Sequence, residues 1–549
     1  MQRIQSPKCR FLAQNGLTLL LVLALLLGIF FRFAHLDQQL YWHDETFTSL
    51  RISGYNAIEV NQALFNGKVV GPEALQKYQQ PSSDTTIVDT IRSLAIDDSQ
   101  HPPLYYVLVR QWAVMFGSSV AAVRSLSVVF SLLMFPSMYW LCQELFAGEA
   151  KAGVQKQSAN LISGLAIALL SLSPYQILYA QEAREYSLWS VITLLSGAAL
   201  LRAMRLNTLG AWGLFTVLLT LGLYTQPMML LVAIAFALYL LIVERLRINR
   251  VTISGVLSFA LAILAFSPWL NIIAKSWSQT GANWTAIPIP LPILLKTWGL
   301  HLLRMFILTE SDFGFDHWTT YVGLPLLLLL VGTTFYQLYR QTSLRIWFFV
   351  VALTFSAFLP LGLMDLVLGG QRSVSSRYIV PFYVGLPVAI AYLLAHNLLR
   401  WQHSTRGVTT VQFKLWQGIT ALLLSISLLA CVFNAQSNTA WTKGINYNLL
   451  AVANLVNAAP RPLLVSNSFG IDFGTTFALG RRLNPKAKLL LTQDIIETDV
   501  KKLPSIATGF DPVFLLNPSD AYRQKLGQQL HKETKLVFKD FHLSLWKMN

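Results

Sequence analysis

Long apolar runs separated by short polar linkers recur along most of this chain. Crossing about 30 Å of hydrocarbon takes about 20 helical residues, and irregular backbone does not face lipid, so each long run predicts one transmembrane helix. The first run covers residues 16–33 and follows Arg3, Lys8 and Arg10. It is too long for a signal peptide and lacks a small-x-small cleavage site, so we interpret it as a retained span.

Ten further runs follow, which brings the predicted number of spans to about eleven. They cover 120–146, 159–176, 186–203, 211–228, 229–244, 251–272, 319–338, 346–364, 378–398 and 414–434. After the last run the polarity becomes ordinary, and short apolar or alternating stretches predict strands. The predicted fold is therefore an all-α polytopic membrane domain over 1–434, including a first outside loop at 34–119, and a small α/β domain over 435–549.

Composition and charge agree with a membrane protein. The chain is 54% hydrophobic and 12% charged, whereas soluble domains are about a quarter charged. With Met1 in the cytoplasm, every predicted cytoplasmic linker is basic, as the positive-inside rule requires; these linkers hold Lys151, Arg202, Arg245, Arg340, Arg400 and Arg406. The formal net charge of +16 is thus assigned to topology rather than to a nucleic-acid partner. The C-terminal domain is expected on the non-cytoplasmic side.

Four groups of ionisable and aromatic residues lie beside predicted helix ends on the outside. They are Tyr-Trp-His-Asp-Glu at 41–45, His-Pro-Pro-Leu-Tyr-Tyr at 101–106, SPYQILYAQEAREY at 173–186 and Ser-Arg-Tyr at 376–378. The apolar stretch at 104–116 is too short to span and predicts a helix at the membrane interface, anchored by aromatic rings including Tyr105.

Each group has a purely structural interpretation as well as a functional one. Asp44 and Glu45 could supply a general base, or Asp44 could be a solvated helix cap. His101 could face a ligand or only begin a proline turn. Arg184 could pair with its acidic neighbours, and Arg377 could be a snorkelling anchor.

Taken together, the groups place two arginines, a histidine and several carboxylates on one side of the membrane. An arginine fork suits a phosphate, and a carboxylate suits removal of a proton from a hydroxyl. This combination is typical of a site for a lipid-linked anion and a polar acceptor.

The four groups occur in the order found in a known family. Together with Arg124-Ser-Leu-Ser at the start of the second span, they resemble the GT-C glycosyltransferases of the protein-mannosyltransferase and aminoarabinose-transferase type (family 39), over about residues 15–400. The resemblance implies a multi-pass protein, of a bacterial plasma membrane, that transfers a sugar from a polyprenyl-phosphate donor to an acceptor hydroxyl with inversion. Protein, lipid and glycan acceptors all stay open.

The resemblance also implies roles for individual residues. Asp44 is the expected base and Glu45 its partner, while His101, Arg184, Arg377 and Tyr378 surround the donor phosphate. Tyr105, Gln181 and Glu182 have supporting roles. No cofactor is required, because cationic side chains can stabilise the departing phosphate, although a divalent metal stays an alternative.

Two departures and two rival functions accompany this hypothesis. Relatives often have a Tyr-Thr-His-Tyr pattern where this chain has Gln226 followed by proline, and the segment 435–549 matches no acceptor-binding module of the family. A lipid transporter or flippase would need polar residues deep within spans or a repeat of broken helices. A membrane scaffold would not need the ionisable groups to converge.

Overall fold

The structure of this chain is a computed structural model. It describes residues 7–147, 154–276, 281–307, 318–403, 410–493 and 509–548. Lys151 and Arg406, which the topology prediction used, lie outside these ranges.

Within the described ranges, seven helices are long and apolar enough to cross a membrane. They are Pro7–Phe33, Val120–Phe146, Tyr186–Leu206, Arg250–Ser276, Trp318–Gln341, Val380–His403 and Thr410–Gln436. Apolar side chains on them are exposed, for example Leu264 at 66% and Leu329 at 68%. Such surfaces are stable in lipid rather than in water, and the chain is a multi-pass membrane protein.

Two further predicted spans are pairs of helices joined at a bend. Gln157–Ser171 meets Pro174–Ala180 at 62°, and Leu344–Phe355 meets Phe358–Leu368 at 53°. The first bend lies at Ser173, whose backbone is extended because a residue before proline avoids the helical region. Counting each pair as one span gives nine among the described residues.

The last two predicted spans are shorter helices than expected. Leu209–Thr225 has 17 residues and Met229–Val243 has 15, because the chain is extended at Gln226 before Pro227. Both are apolar but fall below the length of about 20 residues that a straight crossing takes. The number eleven therefore stays a prediction, although each of the eleven runs contains a helix.

By internal contacts the chain divides into two units. The first contains Met1–Leu36, Gln100–Leu104 and Arg124–Gln436, and the second contains Asp37–Ser99, Tyr105–Val123 and Ser437–Asn549. The membrane helices belong to the first unit, apart from the first turn of Val120–Phe146. The second unit joins most of the segment 34–119 to the C-terminal segment, a grouping that the sequence prediction did not include.

In the first unit, Arg32 ties the first helix to the bent pair. Its guanidinium donates to the carbonyl oxygens of Gly28 at 2.8 Å and Ser171 at 2.7 Å, and to Ser131 Oγ at 2.6 Å. Ser171 ends a helix, and its carbonyl has no partner within that helix. The fully buried arginine thus stabilises the bend that precedes residues 181–185.

The second unit is built on a mixed six-stranded sheet. Its strands are β1 (Val69–Val70), β2 (Leu463–Asn467), β3 (Lys488–Thr492), β4 (Val513–Leu516), β5 (Thr534–Lys539) and β6 (Ser544–Met548). The order is β1-β3-β2-β4-β6-β5, with β2 parallel to both β3 and β4 and the other pairs antiparallel. All of β2 and β4 is buried, as is usual for parallel strands covered on both faces. This confirms the small α/β domain.

Helices of this unit complete its core. They are His43–Ser53, Ala57–Leu64, Pro72–Gln76, Ile87–Asp97, Leu104–Phe116, Leu449–Ala458, Ile471–Gly480 and Asp520–Leu530. Leu50 and Leu64 from the first loop lie in the same buried cluster as Leu464 and Leu489 from the sheet. Because such short helices cannot bury an apolar face alone, the loop packs with the sheet.

Candidate functional site

The acidic pair lies in the first turn of the helix His43–Ser53. Trp42 takes the N-cap position with an extended backbone, so Asp44 is inside the helix and is not its cap. Asp44 is half-buried and Glu45 is fully buried. Two carboxylates in a first turn interact favourably with the positive end of the helix dipole.

Glu45 forms an ion pair with a residue that sequence reasoning missed. Lys443 Nζ lies 3.2 Å from Glu45 Oε2, and both side chains are fully buried. The same ammonium lies 5.5 Å from the centre of the Trp42 ring. A buried pair of this kind costs desolvation energy, and loss of either member leaves an uncompensated charge.

A second contact joins the same two segments. His43 donates its backbone N–H to Asn446 Oδ1 at 2.8 Å, and Asn446 in turn donates to Thr475 Oγ1 at 3.0 Å. The first N–H of a helix has no acceptor within that helix. The short 3-10 helix Trp441–Asn446 therefore holds the start of the acidic helix through Asn446 and the Glu45 carboxylate through Lys443.

In the first unit, the turn between Pro174–Ala180 and Tyr186–Leu206 brings the buried side chains of Arg184 and Glu185 into contact with the partly buried His101. Arg184 Nε lies 3.3 Å from Glu185 Oε2, and its Nη2 lies 3.3 Å from His101 Nε2. His101 Nδ1 lies 3.1 Å from Glu185 Oε1. The predicted donor residues His101 and Arg184 are thus brought together, and Glu185 lies between them.

The charges around Glu185 determine its protonation. Burial alone would raise the pKa of this carboxyl, but Arg184 and His101 outweigh burial and lower the pKa from 4.5 to about 2. A group whose pKa is depressed on folding stabilises the fold above its ordinary pKa, and this stabilisation is lost as the pH falls towards 2. Glu185 is therefore a fixed anion near neutral pH, and it keeps Arg184 oriented.

Gln181 and Glu182 are further buried polar residues of the same turn. Gln181 donates to the carbonyl oxygens of Phe31 at 2.9 Å and Ala34 at 2.8 Å, which attaches the turn to the end of the first helix. Glu182 is fully buried. From outside the turn, Gln226 donates to Glu185 Oε1 at 3.4 Å.

Two of the sequence groups meet in the first unit. The Tyr175 hydroxyl donates to the carbonyl oxygen of Ser376 at 3.0 Å, and the Tyr179 hydroxyl lies 3.0 Å from Ser376 Oγ. Arg377 and Tyr378 follow directly and are half-buried. The Arg377 guanidinium lies 5.8 Å from the centre of the Trp284 ring. The SPYQILYAQEAREY and Ser-Arg-Tyr segments are therefore in direct contact.

The structure corrects the prediction for Tyr105. The expected interfacial helix is present as Leu104–Phe116, but Tyr105 and Tyr106 are fully buried and their rings contact each other edge to face at 5.8 Å. They are core residues rather than interfacial anchors, because they lie on the face opposite the exposed Val114 and Met115.

Comparisons with known proteins find similarity in fold. No family model matches the chain, and no curated protein matches its sequence. The structure is similar to that of ArnT from Cupriavidus metallidurans, which was solved with undecaprenyl phosphate and in the apo state. The sequence identities are 13% and 12%, respectively. Each match has a TM-score of 0.49 and covers 97% of this chain and 98% of ArnT. It is also similar to the archaeal oligosaccharyltransferase AglB from Archaeoglobus fulgidus, solved with an inhibitory peptide and a dolichol-phosphate, at 10% identity and a TM-score of 0.49, covering 86% of this chain and 64% of AglB.

One feature of the sequence could have identified Lys443. It is the one charged residue between Lys414 and Arg461, in a stretch whose only other ionisable side chains are Cys431 and Tyr447. An isolated charge in such a stretch often has a specific partner, because burying it alone is unfavourable. Among the described residues, no group of three His, Cys, Asp or Glu side chains is arranged to hold a metal ion.

Proposed function

We propose that this chain is a membrane glycosyltransferase that moves a sugar from a polyprenyl-phosphate donor to an acceptor hydroxyl, with inversion, on the non-cytoplasmic side. The observation that carries the proposal is the contact of His101 with the buried pair Arg184 and Glu185, just before the helix Tyr186–Leu206. A buried arginine beside a membrane span is a functional candidate by default, and its guanidinium suits a lipid-linked phosphate. The order of the four sequence groups supports the same family of reactions.

The proposed reaction divides the work between cations and carboxylates. Asp44 takes the proton of the acceptor hydroxyl, which attacks C1 of the sugar from the face opposite the phosphate. The C1–O bond to the lipid phosphate breaks, and the electron pair leaves with that phosphate. Arg184, His101 and Arg377 stabilise the developing negative charge, as fixed donors do in a water-poor site. Glu185 holds Arg184 in place, and Glu45 and Lys443 hold the helix that carries Asp44.

The proposed sidedness makes a first prediction. A reporter active only in the cytoplasm should be inactive when fused after Asn549, because eleven spans would place the C-terminus outside. The same reporter fused after Thr342, in the linker between Trp318–Gln341 and Leu344–Phe355, should be active. Activity of the Asn549 fusion would contradict an odd number of spans.

Donor binding provides the direct test of the proposed activity. Purified protein in lipid nanodiscs is incubated with a panel of polyprenyl-phosphate sugars, and bound donor and released polyprenyl phosphate are measured. Arg184→Ala and Arg377→Ala should each weaken donor binding about tenfold to hundredfold, since a charge-assisted contact contributes about 1.5–3 kcal/mol. Arg→Lys should recover only part of the affinity, because an ammonium cannot form the two-pronged contact.

Arg202 offers a matched control in the helix that follows Arg184. It lies near the end of Tyr186–Leu206, about 24 Å along that helix from Tyr186, and contacts Glu144 at 3.6 Å. Arg202→Ala should bind donor as the parent does. If no sugar in the panel releases polyprenyl phosphate, and if both Arg184→Ala and Arg377→Ala bind donor normally, the proposed function is wrong.

A further inference from the structure

The loop between the helices Phe358–Leu368 and Val380–His403 folds back on the first of them. Gly369 and Gly370 have φ values of +72° and +130°, a region that side chains other than glycine avoid. A Cβ on Gly370 would also lie 2.8 Å from the carbonyl oxygen of Thr285. These two glycines reverse the direction of the chain. Arg372 and Ser373 therefore contact the last turns of the preceding helix, Phe358–Leu368.

Asp365 holds this reversed segment by hydrogen bonds. Its Oδ1 accepts from the backbone N–H and the guanidinium of Arg372, each at 3.0 Å. Its Oδ2 accepts from the backbone N–H and the hydroxyl of Ser373, each at 2.7 Å. The carboxylate is fully buried, so these four hydrogen bonds replace its water. Asp365 is also the one acidic residue between Asp316 and Asp472.

Side chains of two other helices, Leu291–Leu303 and Pro174–Ala180, hold Ser373 and Ser376 of this loop. Trp298 donates its indole N–H to Ser373 Oγ at 2.8 Å, and His301 donates from Nε2 to the carbonyl oxygen of Ser373 at 2.9 Å. The other ring nitrogen of His301 lies 3.1 Å from the Tyr383 hydroxyl. Tyr175 and Tyr179 hold Ser376, as described above. The backbone is therefore fixed on both sides of the short segment that leads to Arg377.

We propose that Asp365 is a positioning residue for donor binding, which acts by ordering the loop that presents Arg377 to the lipid phosphate. The proposal rests on the proposed function, because it needs Arg377 to contact the donor. A carboxylate is required at this position, because four N–H and O–H groups point at its two oxygens. An amide would turn an NH₂ group towards the donors of either Arg372 or Ser373.

A double-mutant cycle separates positioning from general stability. Asp365→Asn should weaken donor binding by up to the effect of Arg377→Ala, about tenfold to hundredfold. In the Arg377→Ala background, Asp365→Asn should have little further effect, because the residue through which it acts is gone. Hydrogen exchange should be faster at the backbone amides of Arg372 and Ser373 in Asp365→Asn than in the parent.

Glu144 supplies a matched control. It is also a buried carboxylate with an arginine partner, since Arg205 Nη2 lies 2.8 Å from its Oε2, and it belongs to the same unit. Glu144→Gln should lower thermal stability and leave the donor dissociation constant unchanged. The positioning role would be overturned if Asp365→Asn lowered donor affinity equally in the parent and in the Arg377→Ala background. It would also be overturned if Asp365→Asn left donor affinity unchanged while Arg377→Ala weakened it. A parent protein that binds no donor would overturn the proposed function and this role together.

Discussion

Asp44→Asn is expected to lower sugar transfer by about 10²–10⁴ while leaving the fold and donor binding intact. The amide keeps the shape of the side chain but cannot take a proton near neutral pH. Asp44 is half-buried in a first helical turn, so an uncharged replacement is tolerated by the helix. Single-turnover transfer from donor to a hydroxyl acceptor measures the effect, and donor binding is measured on the same preparation.

Asp89 provides a control for the loss of a first-turn carboxylate. It lies in the first turn of Ile87–Asp97, where hydrogen bonds from the hydroxyl and the backbone N–H of Thr86 lower its pKa. Asp89→Asn should weaken only this helix start and leave transfer unchanged. If Asp44→Asn transfers at the parental rate, Asp44 is not the base. If Glu45→Gln loses more transfer than Asp44→Asn while folded, Glu45 is the base instead.

Glu45→Gln is expected to destabilise the second unit by about 3–5 kcal/mol, because it leaves the fully buried Lys443 without its carboxylate. The measurement is thermal unfolding of the protein in nanodiscs, together with protease resistance. Lys443→Met alone should be destabilising for the converse reason. The double variant Glu45→Gln with Lys443→Met should recover most of the lost stability, since neither buried charge then remains.

Glu59 is a suitable control for this effect. It is an exposed carboxylate in the same unit, which forms a capping box with Asn56. Glu59→Gln should cost no more than about 1 kcal/mol, because a glutamine also closes the box. Parental stability of both Glu45→Gln and Lys443→Met would show that the ion pair does not hold the acidic helix.

The local features of this protein were determined by its sequence. Apolar runs of sufficient length predict the helices, and short apolar runs such as 489–491 and 513–516 predict β3 and β4, because helix and strand depend on nearby periodicity. Proline at 174 and at 227 marks the places where predicted spans bend or end early. The four polar groups were found because ionisable residues beside spans are rare.

Only the tertiary structure decided which distant residues meet. Glu45 and Lys443 are 398 positions apart, and nothing in either neighbourhood specifies the other. The pairing of β1 with β3, the burial of Tyr105 and the hydrogen bonds to Asp365 likewise depend on how helices and strands pack. A buried charge is tolerated only where other parts of the chain supply its partner, and that partner can be anywhere in the sequence. Residue type and local spacing therefore suggested the chemistry, whereas the fold decided which groups hold it in place.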